Sequence, residues 1–315
     1  SGFINMDVGG GTTDLSVWLG GAPYAAVEAS LLLGCRQILF DSLSDHRREA
    51  FEADFAGADE NLRALVREMA LAFGGVETSL RTRQKNIFLM DAFFAGHSDG
   101  VRDMMAETRA YGRTSLLEGL LLFNFGFLFR LCGELLEKCH QVPETRAMLS
   151  PRMQVCVAGG GGQFLNCLDE GTRGKLFDLA LLGLSRDNPV QQLMLVQSSE
   201  PKLEVAVGLL ADDGRLRSTV QGATAPAPAQ AAQAPLERRR ALLKDYVRAF
   251  YSTFPMAGQT LLGPFIDSTT DPRSPALTPS AEMALDAILD NELSGGEEGA
   301  GYVRAFAAMK RLWKI

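Results

Sequence analysis

The sequence predicts an α/β fold, and three observations carry that reading. Short apolar runs separated by glycines fill residues 3–29. Apolar residues then recur at three-to-four spacing from about Gln37 to His140, the period of helices packed on one face. Last, "MQVCVAGGGGQFLNCLDEG" reads as strand, glycine turn and helix in direct succession.

The runs "FINMDV", "LSVWL" and "YAAVEA" have strand length, and Gly9–Gly11 and Gly20-Gly21 supply turns between them, so residues 3–29 are expected to form a β-meander. In the helical stretch, Leu62, Leu65, Val66, Met69 and Phe73 share one face, and Gly74-Gly75 is a stop signal. "GRTSLLEG" offers Thr114 or Ser115 as a helix cap, and Ser115 with Glu118 three residues on makes a capping box. The helix it opens, "LLEGLLLFNFGFLFRLCGELL", carries Glu118, Arg130 and Glu134, so its uncharged run falls short of the roughly twenty residues a bilayer requires. A buried helix is expected there, with Phe123 to Phe129 packed in the core, and no membrane span.

Past the Gly159–Gly162 turn, a further apolar run, "QLMLVQ", leads into "SSEPKLEVAVGLLA", where Pro201 marks a helix start. Residues 217–235, "RSTVQGATAPAPAQAAQAP", have the composition of a linker. Beyond it Leu242, Leu243, Tyr246, Val247, Phe250 and Phe254 fall on one helical face, with the "ERRR" run, Glu237 to Arg240, read as a solvated face. Thr278 caps a helix with Pro279 at its first position, which Gly295-Gly296 ends, and a last helix carries Tyr302, Val303, Phe306, Met309 and Trp313. The expected organisation is a core of residues 1–36 and 141–216, a helical insertion at 37–140, the linker, and a helical C-terminal region at 236–315.

At 315 residues, with 46% hydrophobic and 22% charged residues, the composition is that of a globular protein. The net charge of −7 argues against a nucleic-acid surface. Five cysteines without a C-x-x-C pair, Cys35, Cys132, Cys139, Cys156 and Cys167, fit reduced buried thiols and a cytoplasmic setting. His46, His97 and His140 are scattered, with no ligand spacing, so they suggest no metal site.

The chemistry concentrates in "MDVGGGTTDLSVW". A hairpin turn of three glycines exposes backbone N–H groups that attract anions without a lysine. Thr12 and Thr13 add hydroxyls. Asp7 and Asp14 flank the turn, and beside phosphates two carboxylates call for an intervening cation, for which hydrated Mg²⁺ is suited.

This D-x-G-G-G-T-x-D stretch resembles the second phosphate-binding hairpin of the actin and heat-shock-chaperone ATPase superfamily. The turn Leu33-Gly34-Cys35 resembles the family's Leu-Gly-Gly turn, "VCVAGGGGQFL" its adenosine motif, and "EPKLEVAVGLL" its closing helix. Four residues depart from the pattern: Cys35 and Arg36 replace a glycine and an acidic residue, Lys202 an aspartate, and Gln163 stands near a common arginine. The resemblance implies the second lobe of a ribonuclease H-like ATPase domain binding ATP or ADP with Mg²⁺. Gly9, Gly10, Gly11, Thr12 and Thr13 would meet the phosphates, Gly34 would support the turn, and Gly159, Gly160, Gly161 and Gly162 would lie beneath the adenosine. Asp7 and Asp14 would hold Mg²⁺ through water. It implies no catalytic residue here, because the family shares its machinery with a first lobe, and no second D-x-G-T hairpin occurs in this sequence. The sequence is therefore read as an excised piece whose partners are nucleotide, the missing N-terminal lobe and, through the C-terminal helices, another protein. A scaffold that keeps the fold without hydrolysis, and a filament-forming actin-like protein, are the other readings.

Overall fold

The computed structural model describes residues 2–20, 25–40, 45–72, 80–110, 115–197, 236–254, 267 and 276–293. The expectations for Gly21, Gly74-Gly75, Thr114, the motif at 200–210 with Lys202, the linker at 217–235, the Gly295-Gly296 stop and the last helix lie outside these residues.

The fold is mixed α/β around a five-stranded sheet. Strands β1 (Phe3–Val8), β2 (Thr13–Trp18) and β3 (Val27–Leu31) form the expected antiparallel meander. Strand β4 (Arg152–Ala158) lies parallel beside β1, and β5 (Gln192–Gln197) parallel beside β4, giving the order β3-β2-β1-β4-β5. Only β2 therefore runs against the other four. Alternation decides which side is buried: Ile4, Met6 and Val8 of β1, Leu15 and Val17 of β2, and Met153, Val155 and Val157 of β4 all turn into the core. Asp7 and Asp14, paired across the hairpin, lie on the opposite side, where Phe3 stacks on Trp18.

After β3 come a π-helical turn (Arg36–Phe40) and helices α1 (Asp45–Asp54), α2 (Glu60–Ala72), α3 (Leu80–Gly96), α4 (Ser98–Ala110), α5 (Leu116–Gln141) and the short α6 (Pro143–Arg146). Between β4 and β5 run a 3-10 helix (Gly160–Cys167) and α7 (Glu170–Leu181); α8 (Leu236–Thr253) and α9 (Pro279–Leu293) follow. The stretch after the glycine turn thus differs from a continuous helix. It winds as a 3-10 helix, breaks at extended Leu168, and restarts as α7, whose first turn Asp169 caps by accepting from the Thr172 N–H at 2.8 Å.

Helix α5 is hydrophobic all round because protein covers it all round. Its apolar window is long enough to cross a membrane, yet 89% of that window is buried inside the protein. It packs on β2 and β3, on α7 and on α8. Two glycines set the approach of its neighbours. A Cβ at Gly133 would stand 2.1 Å from the Ala180 carbonyl oxygen of α7, and one at Gly126 would stand 2.9 Å from the Tyr246 hydroxyl of α8. The phenylalanines fill the spaces between: Phe123 meets Phe250 edge-on at 5.0 Å, and Phe129 meets Phe177 at 5.3 Å.

On α8, Leu243, Tyr246, Val247, Phe250 and Phe254 are buried as expected, and Leu242 is half-buried. The basic side is not simply solvated. Arg240 pairs with Asp290 at 2.6 Å and Lys244 with Asp286 at 2.5 Å, so charge joins α8 to α9. Thr278 caps α9 as expected, accepting from the Ala281 N–H at 3.3 Å. The Ser115 capping box forms only by half: Ser115 accepts from the Glu118 N–H at 3.1 Å, but the Glu118 carboxylate turns to Arg109 at 2.8 Å.

Helix contact at the α5 glycines generates a prediction. Gly133→Ala should lower stability by roughly 1–3 kcal/mol or more in urea denaturation, because backbone cannot yield as a side chain can. Gly174→Ala, in α7 with open space at its Cβ position, should raise it by about 0.5–1 kcal/mol.

Candidate functional site

Three glycine segments far apart in sequence meet at one end of the sheet. The hairpin Gly9–Thr12 follows β1, and the segment Gly159–Gly162 follows β4, the parallel strand beside it; Leu33-Gly34-Cys35 follows β3. Beyond the carboxyl ends of β1 and β4 the chain leaves in different directions, to β2 and to the 3-10 helix, the kind of place where open α/β sheets bind ligands.

Backbone hydrogen bonds fix the hairpin. The Gly9 N–H donates to the Thr12 carbonyl at 2.9 Å, the Cys35 N–H to the Gly9 carbonyl at 2.9 Å, and the Arg36 N–H to the Gly10 carbonyl at 3.0 Å. Gly34 lies directly on the turn: a Cβ there would be 2.7 Å from the Gly9 oxygen, the Gly11 carbonyl carbon and the Thr12 nitrogen. Gly159 has φ of +75°, and a Cβ would be 2.4 Å from Asp7 Oδ1 and 2.5 Å from the Val8 oxygen. At Gly161 it would be 2.4 Å from a Val8 methyl and 2.5 Å from Cys35 Sγ. The fold itself therefore demands glycine at these three positions.

Gly10, Gly11 and Gly160 are different. None has a positive φ, and nothing lies within 4 Å of a Cβ built on any of them. Packing gives no reason for glycine there, although glycine costs conformational entropy on folding. Among the described residues, the N–H groups of Gly10, Gly11 and Thr12 have no protein acceptor. The 3-10 helix begins at Gly160 with no side-chain cap, so its first N–H groups are also unengaged. Donors without a protein acceptor thus occur in the turns that follow the adjacent parallel strands β1 and β4, and backbone N–H groups of this kind suit an anion.

The other expected residues take definite places. Asp7 and Asp14 are exposed register partners beside the turn, and Ala158, which leads into Gly159, is Asp7's partner on the other flank. Thr12 is half-exposed. Thr13 is fully buried and its hydroxyl donates to the Leu33 carbonyl, so it ties the hairpin to the Gly34 turn and is not free for a ligand. Gly162 is buried too; its N–H donates to Gly159 at 3.0 Å, and its carbonyl accepts from Gln197 Nε2 at 2.8 Å. Gln197, at the carboxyl end of β5, was not singled out from the sequence; a polar residue closing an apolar strand was the available signal.

Cys35 lies in the site against Gly161, whereas Cys132, Cys139 and Cys167 are buried in the core. Burial pushes the Cys132 and Cys167 thiols up to about 12 and Cys139 up to about 11, so all three remain protonated small hydrophobes. His140 is buried at the end of α5 and faces Asp187 at 3.2 Å. Among the described residues no group of three or more His, Cys, Asp or Glu is gathered as a metal cage. A cation at Asp7 and Asp14 would accordingly need ligands from water and from the bound molecule.

The glycine contrast is directly testable by stability. Gly34→Ala and Gly161→Ala should each lower it by about 3 kcal/mol or fail to fold. Gly10→Ala and Gly160→Ala should leave it unchanged or raise it by about 0.4–1 kcal/mol in thermal and urea unfolding.

Compared with protein-family models, with curated proteins and with solved structures, the chain matches none.

Proposed function

We propose that this chain carries one wall of a magnesium nucleotide site and is the second lobe of an ATPase of the actin and heat-shock-chaperone type. One observation carries the reading: Gly10, Gly11 and Gly160 have nothing within 4 Å of a Cβ position, so packing leaves them free to be larger, and the turns that hold them follow the adjacent parallel strands β1 and β4. The sheet order, with β2 alone reversed, supports a ribonuclease H-like lobe, which is built on that order.

In this reading the Gly10, Gly11 and Thr12 N–H groups bind the β- and γ-phosphates, and the bare Cα atoms let those oxygens approach. The Thr12 hydroxyl is a further donor. Thr13 positions the hairpin from below through Leu33. Gly160 and Gly161 lie beneath the nucleoside, held by Gly159 against Val8 and by Gln197 against Gly162. Asp7 and Asp14 hold Mg²⁺ through its waters, and the ion supplies charge neutralisation for the phosphates when bound. Charge stabilisation and positioning of the attacking water need a second wall, which the resemblance assigns to a first lobe. A scaffold that binds nucleotide without hydrolysis uses the same wall, and turnover separates the two.

The test is calorimetric titration with Mg-ATP, Mg-ADP and inorganic triphosphate. Gly10→Ala and Gly160→Ala, chosen because they leave the fold intact, should weaken nucleotide binding tenfold or more, and Asp7→Asn with Asp14→Asn should remove the Mg²⁺ dependence. Binding that is unchanged in all four variants would overturn the reading. Binding without turnover in the presence of an opposing lobe would favour the scaffold.

A further inference from the structure

The junction of α4, α5 and α7 holds a charge cluster around one buried carboxyl that the nucleotide reading does not use. Glu118, in the first turn of α5, is only 2% exposed. Its Oε1 accepts from Arg109 Nη1 at 2.8 Å, and the same nitrogen donates to Thr172 Oγ1 at 2.9 Å. Arg109 Nη2 pairs with Asp169 Oδ2 at 2.6 Å. One guanidinium from the end of α4 thus serves two carboxylates, one on α5 and one capping α7. Among the described residues, Oε2 of Glu118 is buried with no partner.

The arrangement favours a proton on Glu118. Burial is the largest cause, with the Asp169 charge adding to it against the pull of Arg109 and Lys175, and together they raise Glu118 from 4.5 to about 7. Asp169 behaves oppositely. Burial works against its charge, but the Thr172 N–H and hydroxyl and Arg109 hold it below the usual carboxylate range. Asp54 of α1, which accepts from the Leu116 N–H at 2.8 Å, is the further acidic group facing this end of α5.

Helix α4 also holds the glycine segment. Arg102 Nη1 donates to the Asn166 carbonyl of the 3-10 helix at 3.2 Å, seven residues before Arg109 joins α5 and α7. We propose that Glu118 is a proton-operated latch at the junction of α4, α5 and α7, closed when it carries its proton and loosened when it loses it, so that α4 slackens its hold on Gly160–Cys167. Once ionised, a carboxylate this deeply buried carries a desolvation cost that the neutral carboxyl does not, and opening the helix ends admits water to offset it. The inference stands apart from nucleotide binding, because it concerns the junction alone.

The sign follows from proton uptake on folding. A carboxyl raised in the folded chain contributes stability that is complete below 4.5 and is lost as pH rises through about 7. With a rise from 4.5 to about 7, the loss reaches at most roughly three-hundredfold in the unfolding constant, levelling off above pH 8.

Amide hydrogen exchange of the 315-residue chain, corrected for intrinsic base catalysis, tests the latch between pH 5.5 and 8.5. Protection over Ser98–Ala110 and Gly160–Cys167 should fall roughly tenfold or more with a midpoint near 7, while Glu118→Gln should hold the acid-side protection at every pH. A flat wild-type profile, or the same fall in Glu118→Gln, would overturn the proposal. Should that variant not fold, carbon-13 titration of glutamate carboxyls in the wild-type chain decides: one carboxyl titrating near 7 supports the latch, and all titrating below 5.5 refutes it.

Discussion

Backbone lying directly on backbone governs the end of the sheet where the candidate site lies. Gly34 rests on the hairpin after β1, and Gly159 rests on Asp7 and Val8 at the end of the same strand, with no room for a methyl group at either place. Because peptide groups make the Gly34 contact, hydrogen bonds from Cys35 and Arg36 can register the hairpin, and the buried Thr13 hydroxyl can lock it to Leu33. The remaining glycines are then left at the surface of a rigid frame, which is what a preorganised donor site requires.

That frame is supported from one side by a single long helix. α5 is covered by the sheet, α7 and α8, and its own glycines allow those helices to come close enough for interlocking aromatic contacts. The 3-10 helix begins in the glycine segment and anchors it to this core: Phe164 packs on Phe94 of α3 and faces Phe125 of α5.

Local patterns were legible in the sequence because they obey local rules. The alternation of β1 and β2, the caps at Ser115 and Thr278, the apolar face of α8 and the buried character of α5 all follow from periodicity and from side chains reaching their own turn. The glycine turns were legible as well, but not the division of labour among them. Gly34 and Gly10 look alike in sequence, and only the approach of a second strand end makes one structural and leaves the other open. Thr13 was expected to face a ligand; strand alternation, which buries every second residue from Leu15 back, carries it inward. Arg240 and Glu118 were assigned by neighbours in sequence to solvent and to a cap, whereas their partners, Asp290 and Arg109, come from other helices.

Function in this account rests on donors that the fold leaves unused. Backbone amide NMR during titration with Mg-ATP and its non-hydrolysable analogue tests this most directly, since it reads each N–H in the intact chain. The account predicts that Gly10, Gly11, Thr12 and Gly160 shift together in one saturable transition while Gly34 and the α2 amides stay fixed. Saturable binding that leaves those four amides unmoved would contradict it.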